Sequence, residues 1–341
     1  MKWQTGSSME IQEWTTARRI RAMRIHAMWH CGKRSCYYPS IMTFYNHTLK
    51  DCRRADKRPA TLRRRSLPLV LFLLCAVGAY GTGDPPPMDV DGFILIAHRG
   101  VVTDTIPENS LPALEESIRR GYTHMEVDIR GTRDGHAVCS HDDSLRRVAG
   151  ISKLISELTL AELRALVPMD LVPDFATFCA RSEGRIGVMP DLKGGPPETE
   201  EAFVRSVETS LVKRGLMDDA FFIGRSALRP LFSRPARGSW RPTLEEALAS
   251  DRIKDNPGDH YFIFGHAADF DAASVRGFQE LGLKVIVSIN IFHYLEIGHY
   301  QENGDRDVAR MLAYGVDGLQ IDNVYEDAFR RAFFGEDSPE D

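Results

Sequence analysis

The chain has 341 residues, 43% hydrophobic and 27% charged, an ordinary globular composition able to bury one large core. Its net charge of -5 hides an uneven distribution, for residues 1–66 hold 15 Lys and Arg against 4 Asp and Glu, leaving 28 against 44 for the rest. So acidic a body excludes the basic surface that nucleic acid requires.

The basic stretch reaches Arg63–Arg65 and runs into an apolar segment from Leu67 to Gly81, "LPLVLFLLCAVGAYG". That length is short for a bilayer span and suits the apolar region of a secretory signal, and Gly78, Ala79 and Gly81 supply small residues for cleavage. Residues 1–66 are therefore expected to be a disordered basic extension and 67–81 a signal peptide or signal anchor. Either would place the folded body outside the cytoplasm: periplasmic, extracellular, or membrane-anchored through 67–81. Residues 82–90, "TGDPPPMDV", read as a proline-rich linker, 91–335 as the folded body, and 336–341 as an acidic tail. Of six cysteines only Cys139 and Cys179 fall in the body. Their spacing matches no zinc motif, and buried free thiols are expected, with a disulfide open to an exported protein.

Within the body strand and helix patterns alternate. Phe93–Ala97 is an apolar strand. Asn109 or Ser110 can cap a helix whose Leu111, Leu114 and Ile118 share a face before Gly121 ends it. Thr123–Arg130 is the second strand, and Asp134 and Gly135 turn a hairpin within "TRDGHAVCSHD". Further strands are expected at Ile186–Leu192, Phe221–Gly224, Tyr261–Gly265, Lys284–Asn290 and Asp317–Ile321, with a weaker pattern around Pro235–Trp240. Helical spacing joins Phe203, Val207 and Leu211 before Gly215, and Val308, Met311 and Leu312 before Gly315. Such repetition predicts a closed parallel barrel, the TIM (β/α)8 architecture.

In such a barrel the reactive groups stand at the C-terminal strand ends, where the charged residues of this chain fall. His98 and Arg99 close the first strand. Glu126 and Asp128, two apart on the second, point to one face and can reach one hard cation. Asp191 and Lys193 repeat that spacing, and His141 follows the hairpin. Two histidines, three carboxylates, an arginine and a lysine suit a phosphodiester: a divalent ion and two cations neutralise phosphoryl oxygens, while two imidazoles act as general base and general acid. Glu108 and Asn109 read as support, orienting Arg99 and capping the helix. "IFHYLEIGHY" after Asn290 is aromatic for a loop, either packed or forming a lid or choline-facing wall.

"HRG" at His98, "PEN" at Pro107, "EVDIRGTRDG" from Glu126, "HD" at His141, "TLAELRAL" from Thr159 and "DLK" at Asp191 together resemble the glycerophosphodiester phosphodiesterase family, over Asp91 to about Phe334. The resemblance implies a TIM barrel of the PLC-like phosphodiesterase type that uses Mg²⁺ or Ca²⁺, with Mn²⁺ also suited, to split small glycerophosphodiesters into glycerol 3-phosphate and an alcohol. It implies His98 and His141 as the acid/base pair, Glu126, Asp128 and Asp191 as metal ligands, and Arg99 and Lys193 as the phosphate clamp. Asp191 stands where the family commonly has Glu, and "DLK" also resembles sphingomyelinase D and phospholipase D toxins. Lysophospholipase D or sphingomyelinase D-like action on membrane lipids is therefore the alternative activity, and a non-catalytic lipid-headgroup-binding barrel the alternative class. "VSIN" ending at Asn290 and "QID" ending at Asp322 stand where the family shows "WTVN" and "TD".

Overall fold

The computed structural model describes residues 86–335, so the extension, the apolar segment, the first four residues of the linker (82–85) and the acidic tail lie outside the described residues. Nine strands are described: β1 (Ile94–Ala97), β2 (His124–Gly131), β3 (Ala137–Cys139), β4 (Gly187–Gly194), β5 (Ile223–Gly224), β6 (Gly238–Trp240), β7 (Tyr261–His266), β8 (Val285–Ile289) and β9 (Gly318–Ile321). All but β3 run parallel, in the order β5-β4-β2-β1-β9-β8-β7-β6. The ring is nearly closed: Phe222 pairs with Gly238, the Phe222 N–H donating to Arg237 O and the Ser239 N–H to Phe222 O, both at 2.8 Å. This is the expected TIM barrel, with the weak pattern around Pro235–Trp240 forming the short strand β6.

Helices α1 (Leu111–Arg120), α2 (Arg146–Ala149), α3 (Leu160–Leu166), α4 (Phe175–Ser182), α5 (Glu200–Lys213), α6 (Leu244–Leu248), α7 (Ala272–Glu280), α8 (Tyr300–Tyr314) and α9 (Glu326–Phe334) fall between or after the strands. Strand residues are buried on both faces, as parallel sheets demand. Ile94, Ile96, Met189, Phe262 and Phe264 pack together in one cluster. Leu95, Ala97, Val127 and Val188 alternate with them and join the larger core shared with the helices. Met88 and Val90 are buried in that larger core, and the Met88 N–H donates to Arg120 O at 2.9 Å, so packing begins inside the stretch read as linker. Cys139 and Cys179 are buried free thiols, and burial pushes both thiol pKa values up.

The expected hairpin joins β2 to antiparallel β3, with Gly135 at φ 79 in its turn. It returns the chain so that Ser140 N–H donates to Asp128 O at 2.9 Å, which brings His141 beside the end of β2.

Candidate active site

After β1 the backbone reverses sharply. Arg99 and Asn109 both have φ 56, a left-handed conformation that costs a non-glycine residue about 1–3 kcal/mol and persists only where neighbours hold it. They do so here: the Asn109 N–H donates to Arg99 O at 2.9 Å, and the Arg99 N–H to Glu126 Oε2 at 2.8 Å. Asn109 Nδ2 donates to Asp128 Oδ2 at 2.8 Å, while its Oδ1 accepts from the Asp128 N–H at 2.9 Å. Asn109 thus secures a carboxylate, and it is Ser110 that caps α1, accepting from the Ala113 N–H at 3.2 Å. Glu108 does orient Arg99, at 3.2 Å from its guanidinium.

The parallel register of β2 and β4 sets Asp128 beside Asp191, and ligand oxygens of Glu126, Asp128 and Asp191 all lie within 4.8 Å of one another. Glu126 and Asp128 are each only 1% exposed. Burial first, then the charges of Asp128 and Asp191, push Glu126 up to about 8, against the opposing pull of His98 and Arg99. Asp128 goes the other way: burial would raise it, but Arg99 and Lys193 hold it below the usual carboxylate range. Lys193 Nζ lies 2.9 Å from Asp128 and 2.6 Å from Asp191. Arg99 Nε is 3.3 Å from Asp128. Both expected clamp residues therefore also serve as counter-charges for the carboxylates.

Three features fit a hard divalent cation. The donors are all oxygens; one carboxyl of the three is pushed toward its protonated form by burial and the other two; and Asp191 Oδ1 is buried without a hydrogen-bond partner. That orphan oxygen also needs Gly224, at φ 87, because a Cβ there would collide with it.

His98 Nδ1 is 2.7 Å from Asp322 Oδ1. An ionised carboxylate only accepts, so Nδ1 carries the proton and Nε2 is left to exchange one. Burial works against the charged ring, but the hydrogen bond and charge of Asp322, with Glu126, raise His98 above the ordinary histidine value. The sequence marks Asp322 only as the end of "QID"; its role as the orienting group of His98 emerges from the structure. His141 has the same arrangement with the adjacent Asp142, Nδ1 to Oδ1 at 2.8 Å.

A cavity of about 1150 Å³ opens over this group, lined by His98, Arg99, Glu126, Asp128, Asp191 and Lys193. His141 is not among its lining residues and stands at its edge, where its main-chain O accepts from Arg130 Nε at 2.8 Å. His266 and His293, to which the sequence assigns no role, do line the cavity, with ring centroids 3.9 Å apart. Burial, then Arg241, keeps His266 below the ordinary histidine value. Burial, then the charges of His266 and His98, hold His293 at about 4. In the aromatic loop, Tyr294 is packed and bonded to Asp307, whereas Phe292 and Ile297 are 70% and 67% exposed.

Residues 98–256 match the glycerophosphoryl diester phosphodiesterase family. That match takes in a little under half of the chain. A protein of Mycobacterium tuberculosis named a probable glycerophosphodiester phosphodiesterase 1 is 43% identical over 72 residues, 21% of this chain and 26% of its own length. The first curated relatives are thus matched over only about a quarter of their length. YhdW of Bacillus subtilis, provisionally named a glycerophosphodiester phosphodiesterase, is 24% identical over 241 residues, 67% of this chain and 93% of its own. Among solved structures, an Oleispira antarctica phosphodiesterase in complex with its product sn-glycerol-3-phosphate has the same fold, with TM-score 0.54, 20% identity, and coverage of 70% of this chain and 96% of that one.

Proposed function

We propose that the protein is a metal-dependent phosphodiesterase that hydrolyses glycerophosphodiesters to glycerol 3-phosphate and an alcohol. The observation that carries this reading is the meeting of three oxygen-donor carboxylates, Arg99, Lys193 and the Asp322-oriented His98 in one cavity of a barrel whose residues 98–256 match this family. Glu126, Asp128 and Asp191 would hold Mg²⁺, Ca²⁺ or Mn²⁺, whose charge there would stabilise the phosphoryl oxygens. Arg99 and Lys193 bind the remaining phosphate charge. His98 and His141, each with Nδ1 committed to a carboxylate, exchange protons through Nε2 with the attacking and leaving oxygens. The apolar run 67–81 behind Arg63–Arg65 supports action outside the cytoplasm, which N-terminal sequencing of protein recovered from that compartment tests.

The deciding assay is release of glycerol 3-phosphate from glycerophosphocholine and glycerophosphoinositol with each of the three cations and with chelator. Release that chelator stops supports the reading; none with any cation overturns it. One observation favours lysophospholipase D or sphingomyelinase D-like action as a second reading: Phe292, Leu295 and Ile297 are exposed on the segment that brings His293 to the cavity, and Tyr300 is exposed at the start of α8 that follows. Faster turnover of lysolipid in vesicles than of soluble diesters would select it. Headgroup binding without turnover would instead indicate the non-catalytic barrel.

A further inference from the structure

The cavity walls carry far more positive charge than its proposed phosphodiester needs. Eight Lys and Arg residues line it against three carboxylates, Glu126, Asp128 and Asp191. Residues 67–341 as a whole have 28 Lys and Arg against 44 Asp and Glu, so the excess is local. Arg99 and Lys193 are occupied by the carboxylates, and Arg225 pairs with Glu200. Arg130 donates to the His141 carbonyl, and Arg229 to those of Ala236 and His260. Three remain. Among the described residues, none of the side chains of Arg234, Arg241 and Arg252 makes an ion pair with a carboxylate, although the Arg234 backbone N–H donates to Glu208 Oε1 at 2.8 Å. The connection from β5 to β6 supplies the first, and the connection from β6 to β7 the other two. Around the ring these connections lie beyond the strands that carry the metal-type carboxylates, so one cavity has an acidic end and a basic end.

The basic end is crowded. Arg252 adds to burial in lowering the Arg229 pKa, and Arg241 does the same to His266 and His293. Arg234, Arg241 and Arg252 are solvent-exposed, but like charges along one cavity wall add their fields on whatever enters it. The aromatic faces are taken as well: the Arg252 guanidinium lies 5.4 Å from the Trp240 ring centre and 5.2 Å from that of Tyr261, and Arg241 lies 5.5 Å from that of Phe264. A quaternary ammonium would find those faces already covered by cations.

We infer that the cavity selects glycerophosphodiesters whose leaving alcohol carries its own negative charge, a phosphate ester foremost, received by Arg241 and Arg252 with Arg234 beside them. This deepens the proposed hydrolysis and rests on it. The chemistry is unchanged: water oxygen bonds to phosphorus, the bond from phosphorus to the alcohol oxygen breaks, and that oxygen leaves with a proton. What changes is the charge that the departing alcohol must present.

The test compares kcat/KM for glycerophosphoinositol 4-phosphate, glycerophosphoinositol and glycerophosphocholine, whose leaving alcohols are anionic, neutral and cationic. The expected order is anionic over neutral over cationic, with each of Arg241→Gln and Arg252→Gln lowering the anionic-to-neutral ratio by about tenfold, a modest share of what a unit charge a few ångström away supplies near a protein surface. Arg241→Glu should narrow the deficit of the choline diester. Arg205→Gln, on an exposed helical pair outside the cavity, should leave the ratio alone. Turnover of all three diesters at similar efficiency, or ratios that ignore both arginine variants, overturns this inference and leaves the hydrolysis standing. No turnover of any diester overturns the hydrolysis instead. Calorimetry of inositol 4-phosphate binding then still judges the basic end, since binding undiminished in Arg241→Gln and Arg252→Gln refutes it. Inorganic phosphate binding as tightly as inositol 4-phosphate, with a flat substrate ranking, would mean a site for the free anion and would also refute selection of the alcohol.

Discussion

In the proposed mechanism two imidazoles, each with Nδ1 held by a carboxylate, would divide the proton transfer between them. An alkoxide leaving at neutral pH needs a proton, and such help is worth roughly 10²–10⁴ in rate. His98→Ala and His141→Ala should each lose turnover on that scale while metal affinity, read by calorimetry, stays near that of the parent. Near-normal turnover in both would refute the two-imidazole mechanism. Because Asp322 is what lifts the His98 pKa against burial, Asp322→Asn should move the His98 limb of the pH–rate profile to lower pH as well as slow the reaction. A limb that does not move would show that Asp322 does not set the proton affinity of His98. Glu126 makes a separate prediction. Burial and its carboxylate neighbours push it up to about 8, so below that pH a cation must displace a proton. Metal affinity should rise with pH and level off above about 8, with proton release measurable in buffers of differing ionisation enthalpy. The sign for stability is opposite: a carboxyl whose folded pKa is raised stabilises the metal-free fold fully below its unfolded value of 4.5, and that contribution is lost as pH rises through about 8.

Paired elements carry these residues into place. The register of β2 on β4 puts Asp128 across from Asp191, and the hairpin to β3 returns His141 to the end of the same strand. A chain of ion pairs joins the two sides of the site: Glu108 holds Arg99 at 3.2 Å and Arg147 at 2.7 Å, and Arg147 holds Asp142, the partner of His141, at 2.6 Å. On the far side, α8 meets the chain after β9 so closely that a Cβ on Gly304 would strike the Tyr325 ring, whose hydroxyl donates to Tyr300 O at 3.0 Å. Gly304→Ala should therefore lower unfolding stability by about 1–3 kcal/mol in urea titrations, the usual cost of overpacking. An unchanged midpoint would mean that α8 shifts freely there.

For the molecule as a whole, the proposed metal site would tie folding to cation binding through its buried carboxylates. A cation that binds only the folded chain stabilises it by mass action, about 2.7 kcal/mol at a hundred times its dissociation constant. Added Mg²⁺ or Ca²⁺ should thus raise the thermal midpoint in a concentration-dependent way, and the rise should vanish in Asp128→Asn. A midpoint indifferent to every cation would argue against a metal site at Glu126, Asp128 and Asp191. The barrel itself closes at its weakest seam, β5 on β6, where strands of two and three residues meet through the Phe222 and Gly238 pairing. That seam adjoins the arginine-bearing connections.

Local order along the chain determined most of the proposed catalytic grouping. Apolar runs marked the strands, charged groups fell at their C-terminal ends, and the i, i+2 spacing of Glu126 with Asp128 and of Asp191 with Lys193 placed each pair on one face, because a strand's side chains repeat every second residue. Even the Asp134 and Gly135 turn that delivers His141 is written in adjacent residues. Only the tertiary structure decided the partners. Asp322 reaches His98 across 224 positions, and Asn109 serves Asp128 rather than capping α1. Arg234, Arg241 and Arg252 become one basic wall because separate connections converge on one cavity. None of these has a sequence period, since each depends on which strands neighbour one another once the ring has closed.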